Sequence, residues 1–205
     1  MKKNEVLDFV VHMKARDHVI LFYSDPNHKH PVLFTFLKAG LDKGEAAAYV
    51  ASQETPDQIR ESIRSFGINV DELEKSEALH VMHYEDAYFK DGAFDAPKVM
   101  ELWKSLFDEV TAKGFKGLRV TGEMTCFFEK KKVKELVEYE RSLHRVFELP
   151  MIGICTYDIN VVAKERSGEL YVDLIKAHST VLFSGPEAGV VKTPSDTVAT
   201  STLVG

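Results

Sequence analysis

Short continuous apolar runs alternate along the chain with segments whose apolar residues recur at helical spacing. Val6, Phe9, Val10 and Met13 fall at i, i+3, i+4 and i+7, so the N-terminus predicts an amphipathic helix. His18 to Tyr23 (HVILFY) reads as a first buried strand. A helix follows from near Pro31, a residue suited to a first helical turn, and Gly44 stops it. Glu45 to Ala51, Ala78 to Glu85, Gly117 to Met124, Pro150 to Asp158 and Thr180 to Ser184 are the further strands. Between them lie helical patterns over 56–66, around Val99 to Val110, over 129–148 and over 168–177. Strands that alternate with helices predict a parallel sheet covered on both faces. The pattern divides the chain into an N-terminal helix (1–17), one α/β domain (18–185) and a flexible tail (186–205) of small and polar residues.

Composition narrows the function. A chain of 205 residues can bury a sizeable core. Its net charge of -6 is not the basic signature of a nucleic-acid binder. No apolar run approaches the ~18 residues of a membrane helix, and the N-terminus lacks the features of a signal peptide. Two cysteines make no disulfide framework, so a cytoplasmic setting is expected.

The junction between the first strand and its helix poses the central question. A working phosphate-binding loop reads GxxxxG, then Lys, then Ser or Thr. Here Ser24 and Lys29 stand at the glycine positions, His30 at the lysine and Pro31 at the hydroxyl residue. Four substitutions, one of them lacking an N–H, argue against a triphosphate held in the usual way. No GxSxG nucleophile elbow is present, and no catalytic activity is expected.

Several stretches resemble one known family: HVILFY, FLKAGLDKGEAAAYV, GLRVTGEMTCFFE, YERSLH, CTYD and LIKAHSTVLFSG. Together they resemble the MEDS domain, the methanogen/methylotroph, DcmR sensory domain, over about His18 to Gly185. The most specific pieces are Arg119 with Gly122 and Glu123, Tyr139 with Glu140, and Cys155 with Tyr157 and Asp158. The resemblance implies a three-layer α/β/α RecA-like fold with a mostly parallel sheet and an altered P-loop. It also implies a cytosolic, non-catalytic sensory domain for a small organic ligand, such as a one-carbon or hydrocarbon derivative. The namesake regulator carries a DNA-binding segment ahead of its sensory part. Only 17 residues precede His18 here, so the expected route to transcription regulation runs through a regulatory protein partner. The N-terminal helix is expected to cover the sheet edge or to pair with a second copy, giving a homodimer; direct nucleic-acid and membrane contacts are not expected. The alternative is a KaiC-like nucleotide-binding protein or ATPase.

Ligands of open parallel sheets bind beyond the carboxyl ends of the strands. Those ends supply Tyr23, Tyr84, Glu123, Tyr157 and Asp158 as candidate ligand-binding residues. Arg119 shares a strand face with Thr121 and Glu123. Glu140 sits in the middle of the apolar stripe of the following helix, which is defined by Val133, Leu136, Val137, His144 and Phe147. A carboxylate there needs a cation, and Arg119 is the expected partner. No metal site and no cofactor are expected. His80 and His83 point to opposite faces of a strand, and Cys126 and Cys155 lie far apart in the chain.

Overall fold

The computed structural model of the chain describes residues 5–146, 150–186 and 188–193. In chain order the elements are α1 (Glu5–Val11), β1 (His18–Tyr23), α2 (Pro26–Leu41), β2 (Ala46–Ala51), α3 (Pro56–Ser65), α4 (Val70–Lys75), β3 (Leu79–His83), α5 (Tyr84–Ala87) and α6 (Ala96–Ala112). They continue with β4 (Leu118–Glu123), α7 (Thr125–Glu129), α8 (Val133–Val146), β5 (Met151–Asp158), α9 (Ile159–Val162), α10 (Gly168–Lys176), β6 (Thr180–Ser184) and β7 (Gly189–Lys192).

The strands form one sheet in the order β3-β2-β4-β5-β1-β6-β7. The first six are parallel; β7 pairs antiparallel with β6. Because side chains alternate along a strand, each strand feeds two cores. Val19 and Leu21 of β1 pack with α1 to α4, whereas Ile20 and Phe22 pack with the layer holding α6, α8 and α10. Continuous apolar runs in the sequence are thus explained by burial on both faces.

Several elements differ from the sequence reading, and short helices α4 and α9 are additional to it. Helix α2 begins at Pro26 rather than near Pro31: Asp25 caps it by accepting from the Asn27 N–H at 2.7 Å, with Pro26 in the first turn. The helix expected from 129 begins only at Val133, as α8, and a separate short helix, α7, precedes it. Tyr84 and Glu85 leave β3 and open α5 under a cap from His83. Residues 189–192, assigned to a flexible tail, add a strand to the sheet edge. His144 and Phe147, placed on the inner stripe of α8, lie outside the described side chains.

Helix α1 spends its stripe inside the chain. Val6, Val10 and Met13 are buried against α2 and the β6–β7 edge, so the stripe supplies no argument for a second copy. Beneath α1 and α2 lies Arg119, which is fully buried. A Cβ on Gly40 would fall 2.4 Å from Arg119 Cδ and 2.8 Å from a Glu45 carboxylate oxygen. Gly40 therefore allows α2 to close over the guanidinium. We expect Gly40→Ala to lower the melting temperature clearly although Ala is the better helix former, because overpacking this site forces atoms with no room to move. A melt equal to that of the parent would remove the close-approach argument.

Candidate functional site

At the carboxyl edge of the sheet, the junction that in a P-loop would embrace phosphate is closed by helix and side chains. Starting α2 at Pro26 leaves only Ser24 and Asp25 between strand and helix. Lys29, one turn into α2, points inward and is fully buried. Its Nζ donates to Glu123 Oε1 at 2.6 Å and to Glu54 Oε2 at 2.9 Å. Glu123 Oε1 also accepts from the Tyr49 hydroxyl at 2.6 Å. Its other oxygen accepts the N–H groups of Ser52 and Gln53, each at 2.8 Å. Both oxygens of this buried carboxylate are saturated, as burial requires. His30 adds a contact to Glu54 at 2.8 Å and stacks on Phe34.

Two more of the expected residues complete this edge. The Tyr23 hydroxyl donates to Gln53 Oε1, and the Gln53 amide donates to Asp158 Oδ2 at 3.0 Å. Asp158 also caps α9 through the Asn160 N–H. Tyr84 stands apart on α5, over Lys130. Glu123, a candidate ligand contact, ties β4 to α2 and to the end of β2.

Burial raises the Glu54 pKa, but the hydrogen bonds from His30 and Lys29 outweigh it and bring the carboxyl down to about 2, from 4.5. A depressed carboxylate pKa contributes stability that is present above the unfolded value and lost as pH falls through the folded one. Stability should therefore drop between about pH 4.5 and 2. Glu54→Gln should flatten that part of the urea-denaturation free energy plotted against pH; an unchanged slope would show that the carboxylate is not held in this way.

Arg119 and Glu140 do not meet. The Nε of Arg119 donates to Glu45 Oε2 at 2.5 Å, and Nη1 donates to the carbonyls of Val10 and Phe36. The guanidinium carbon sits 5.0 Å from the Phe36 ring centre. The expected pair fails because the two residues lie on opposite faces of the sheet: β4 turns Arg119 towards α1 and α2, whereas α8 covers the other face.

Glu140 instead joins a second buried group. Its Oε1 accepts from the Tyr157 hydroxyl. Its Oε2 lies 3.3 Å from His18 Nε2 and 3.4 Å from His178 Nε2. His18 Nε2 is also 3.4 Å from Cys155 Sγ. All four side chains are buried. Burial, then the neighbouring His178, lower the His18 pKa to about 4. Burial, then Glu140, raise the thiol of Cys155 above its ordinary value. Of the expected site residues, only Glu140 and Tyr157 belong here. Sequence reasoning missed His18, Cys155 and His178, which come from three separated segments. The one available signal was a polar residue standing at the edge of, or within, each apolar run.

Next to this group is a small cavity of about 30 Å³. Its lining includes His18 and Cys155, with Tyr88, Trp103, Tyr139 and Leu143 from the helical side. Gly122 makes part of its floor; a Cβ there would lie 2.0 Å from the Tyr88 hydroxyl oxygen. Trp103 Nε1 donates to the Tyr139 hydroxyl at 2.9 Å, fixing two of the walls.

A parallel three-layer sheet of this order, with its strand-to-helix junction sealed by a lysine–glutamate pair, defines a RecA-like domain with an altered P-loop. The solved structures agree on the fold. Flagellar accessory protein FlaH from Methanocaldococcus jannaschii is similar over 94% of this chain and 86% of its own, with a TM-score of 0.64 at 13% identity. A KaiC-like protein from Pyrococcus horikoshii OT3 is similar over 89% of this chain and 81% of its own, with a TM-score of 0.61 at 14% identity. The family model for MEDS, the MEthanogen/methylotroph, DcmR Sensory domain, matches residues 17–179, and the chain belongs to that family. No curated protein matches it. No helix among the described residues is long and apolar enough to cross a membrane.

Proposed function

We propose that this chain is a non-catalytic sensory domain that takes a small organic molecule into the cavity beside His18 and Cys155 and passes its occupancy to a regulatory protein partner. The observation that carries this reading is the cavity itself: small, almost wholly apolar, aromatic on the helical side, with His18 and Cys155 in its lining. A void needs roughly 10–15 Å³ to hold one water, so about 30 Å³ suits a ligand of one-carbon or small hydrocarbon size. Its walls come from β4, β5, α6 and α8, so a ligand would bear on both the sheet and the helical layer. Family membership supports the sensory role.

The absence of catalysis is part of the proposal. Cys126 and Cys155 are both buried, and burial pushes the Cys126 thiol up to about 12. Neither is an activated nucleophile in this state. The nucleotide alternative is less well supported, because Lys29 and Glu123 satisfy each other at the altered loop. Millimolar Mg-ATP should leave the melting temperature unchanged, whereas a nucleotide bound to the native state would raise it by mass action. A concentration-dependent rise would restore the ATPase reading.

The test of the sensory reading is a thermal-melt and native mass-spectrometry screen against halogenated and methylated one-carbon and two-carbon compounds. A hit should be lost in Val120→Ile, which places an extra methylene into the cavity wall. A hit that survives this substitution would place the ligand elsewhere, and no hit across the panel would count against the proposal.

A further inference from the structure

We propose that His18 Nε2, His178 Nε2, Glu140 Oε2 and Cys155 Sγ form a four-coordinate site for a divalent ion of the zinc class. This goes beyond the sensory reading and does not depend on it.

The geometry is that of ligands converging on a point. The four atoms lie within 4.8 Å of one another, with His18 3.3 Å and His178 3.4 Å from Glu140 and His18 3.4 Å from Cys155. Zinc bonds of about 2.0–2.3 Å imply tetrahedron edges of about 3.3–3.8 Å. Glu140 Oε2 and His178 Nε2 are sealed from solvent, yet neither has a hydrogen-bond partner among the described residues.

The supporting contacts are those that metal ligands need. His178 Nδ1 lies 2.6 Å from the Leu174 carbonyl. A carbonyl only accepts, so Nδ1 carries a proton, which leaves Nε2, facing Glu140, as the ring nitrogen that would bind an ion. The Tyr157 hydroxyl holds the other oxygen of Glu140.

Charge points the same way. Glu140 has no lysine or arginine beside it among the described residues: Arg119 is held by Glu45 and Lys29 by Glu123. A divalent ion with one carboxylate and one thiolate makes a neutral centre, which is the state a dry core favours. Binding would release the Cys155 thiol proton to solvent, with no change of oxidation state. Two imidazoles, a thiolate and a carboxylate suit zinc or cobalt rather than magnesium or calcium, which take oxygen ligands.

The test uses the full chain purified from zinc-supplemented and from cobalt-supplemented cultures, with no organic ligand. Elemental analysis should find one zinc per chain in the first. The cobalt form should show a thiolate-to-metal charge-transfer band and the visible absorption of a tetrahedral centre. Cys155→Ser should lose the charge-transfer band. Cys126→Ser should keep it, and because the chain has only two cysteines this assigns the thiolate even if the first variant does not fold. Tyr157→Phe should bind zinc about tenfold to a hundredfold more weakly. A folded parent chain that carries neither metal, or a band that disappears in Cys126→Ser, would overturn the site. Either outcome leaves the one-carbon screen, and the sensory reading with it, to stand or fall alone.

Discussion

Replacing Lys29 with methionine is expected to destabilise the protein by about 3–5 kcal/mol, the usual cost of leaving one member of a buried ion pair without the other. Both side chains are fully excluded from water, and the contact is 2.6 Å. Methionine keeps most of the volume, so the loss reports the charge and not a cavity. The stranded Glu123 would retain its bonds from Tyr49, Ser52 and Gln53, which should hold the cost within that range. Glu123→Gln attacks the same unit differently. Each oxygen of Glu123 accepts two donors, so an amide nitrogen at either position would face donors. The double variant should be less damaged than the sum of the singles. Urea denaturation of the four proteins measures this; additive losses would show that the two residues do not act as a unit.

The second large effect concerns Arg119. Arg119→Ala removes a side chain that is 0% exposed, with its ion pair to Glu45 and its bonds to two helix carbonyls. A loss of about 2–5 kcal/mol is expected from the void and the orphaned acceptors. Glu45 is 19% exposed and can turn to water, so the unpaired carboxylate should cost less than Glu123 does. Two double-mutant cycles locate the partner. Arg119 with Glu45 should show coupling, whereas Arg119 with Glu140 should be additive, because the sheet separates them. Coupling between Arg119 and Glu140, with none to Glu45, would reverse the assignment.

Both cycles involve residues whose burial could be read from the chain and whose partners could not. The position of Glu140 in the middle of an apolar helical stripe marks it as buried, and it is. Arg119 in a doubly covered strand is marked in the same way, and it too is buried. Periodicity gives the side of its own element on which a residue lies. It does not give which helix covers which face of the sheet. That depends on the crossover of each connection, and here α8 lies on the face opposite to Arg119.

The strand-to-helix junction shows the same division. Loss of the glycines and of the lysine–hydroxyl pair at Ser24 to Pro31 is visible in the letters, and so is the weakness of the nucleotide reading. That Lys29 turns inward to neutralise Glu123, 94 residues away, follows from where α2 begins. A local cap at Asp25 decides that start, and the proline at position 31 misplaces it.

The chain by itself determines the alternation of strands and helices, the two-sided burial of the sheet, the altered phosphate loop and the family pattern in the segments around Arg119, Tyr139 and Cys155. Tertiary structure alone brings together His18, Glu140, Cys155 and His178, whose outermost members lie 178 − 18 = 160 positions apart, and forms the cavity beside them. Local chemistry acts over a few residues and leaves a periodic trace in the sequence. A site made of one side chain from each of four segments leaves no such trace, because sheet register and helix packing set its geometry.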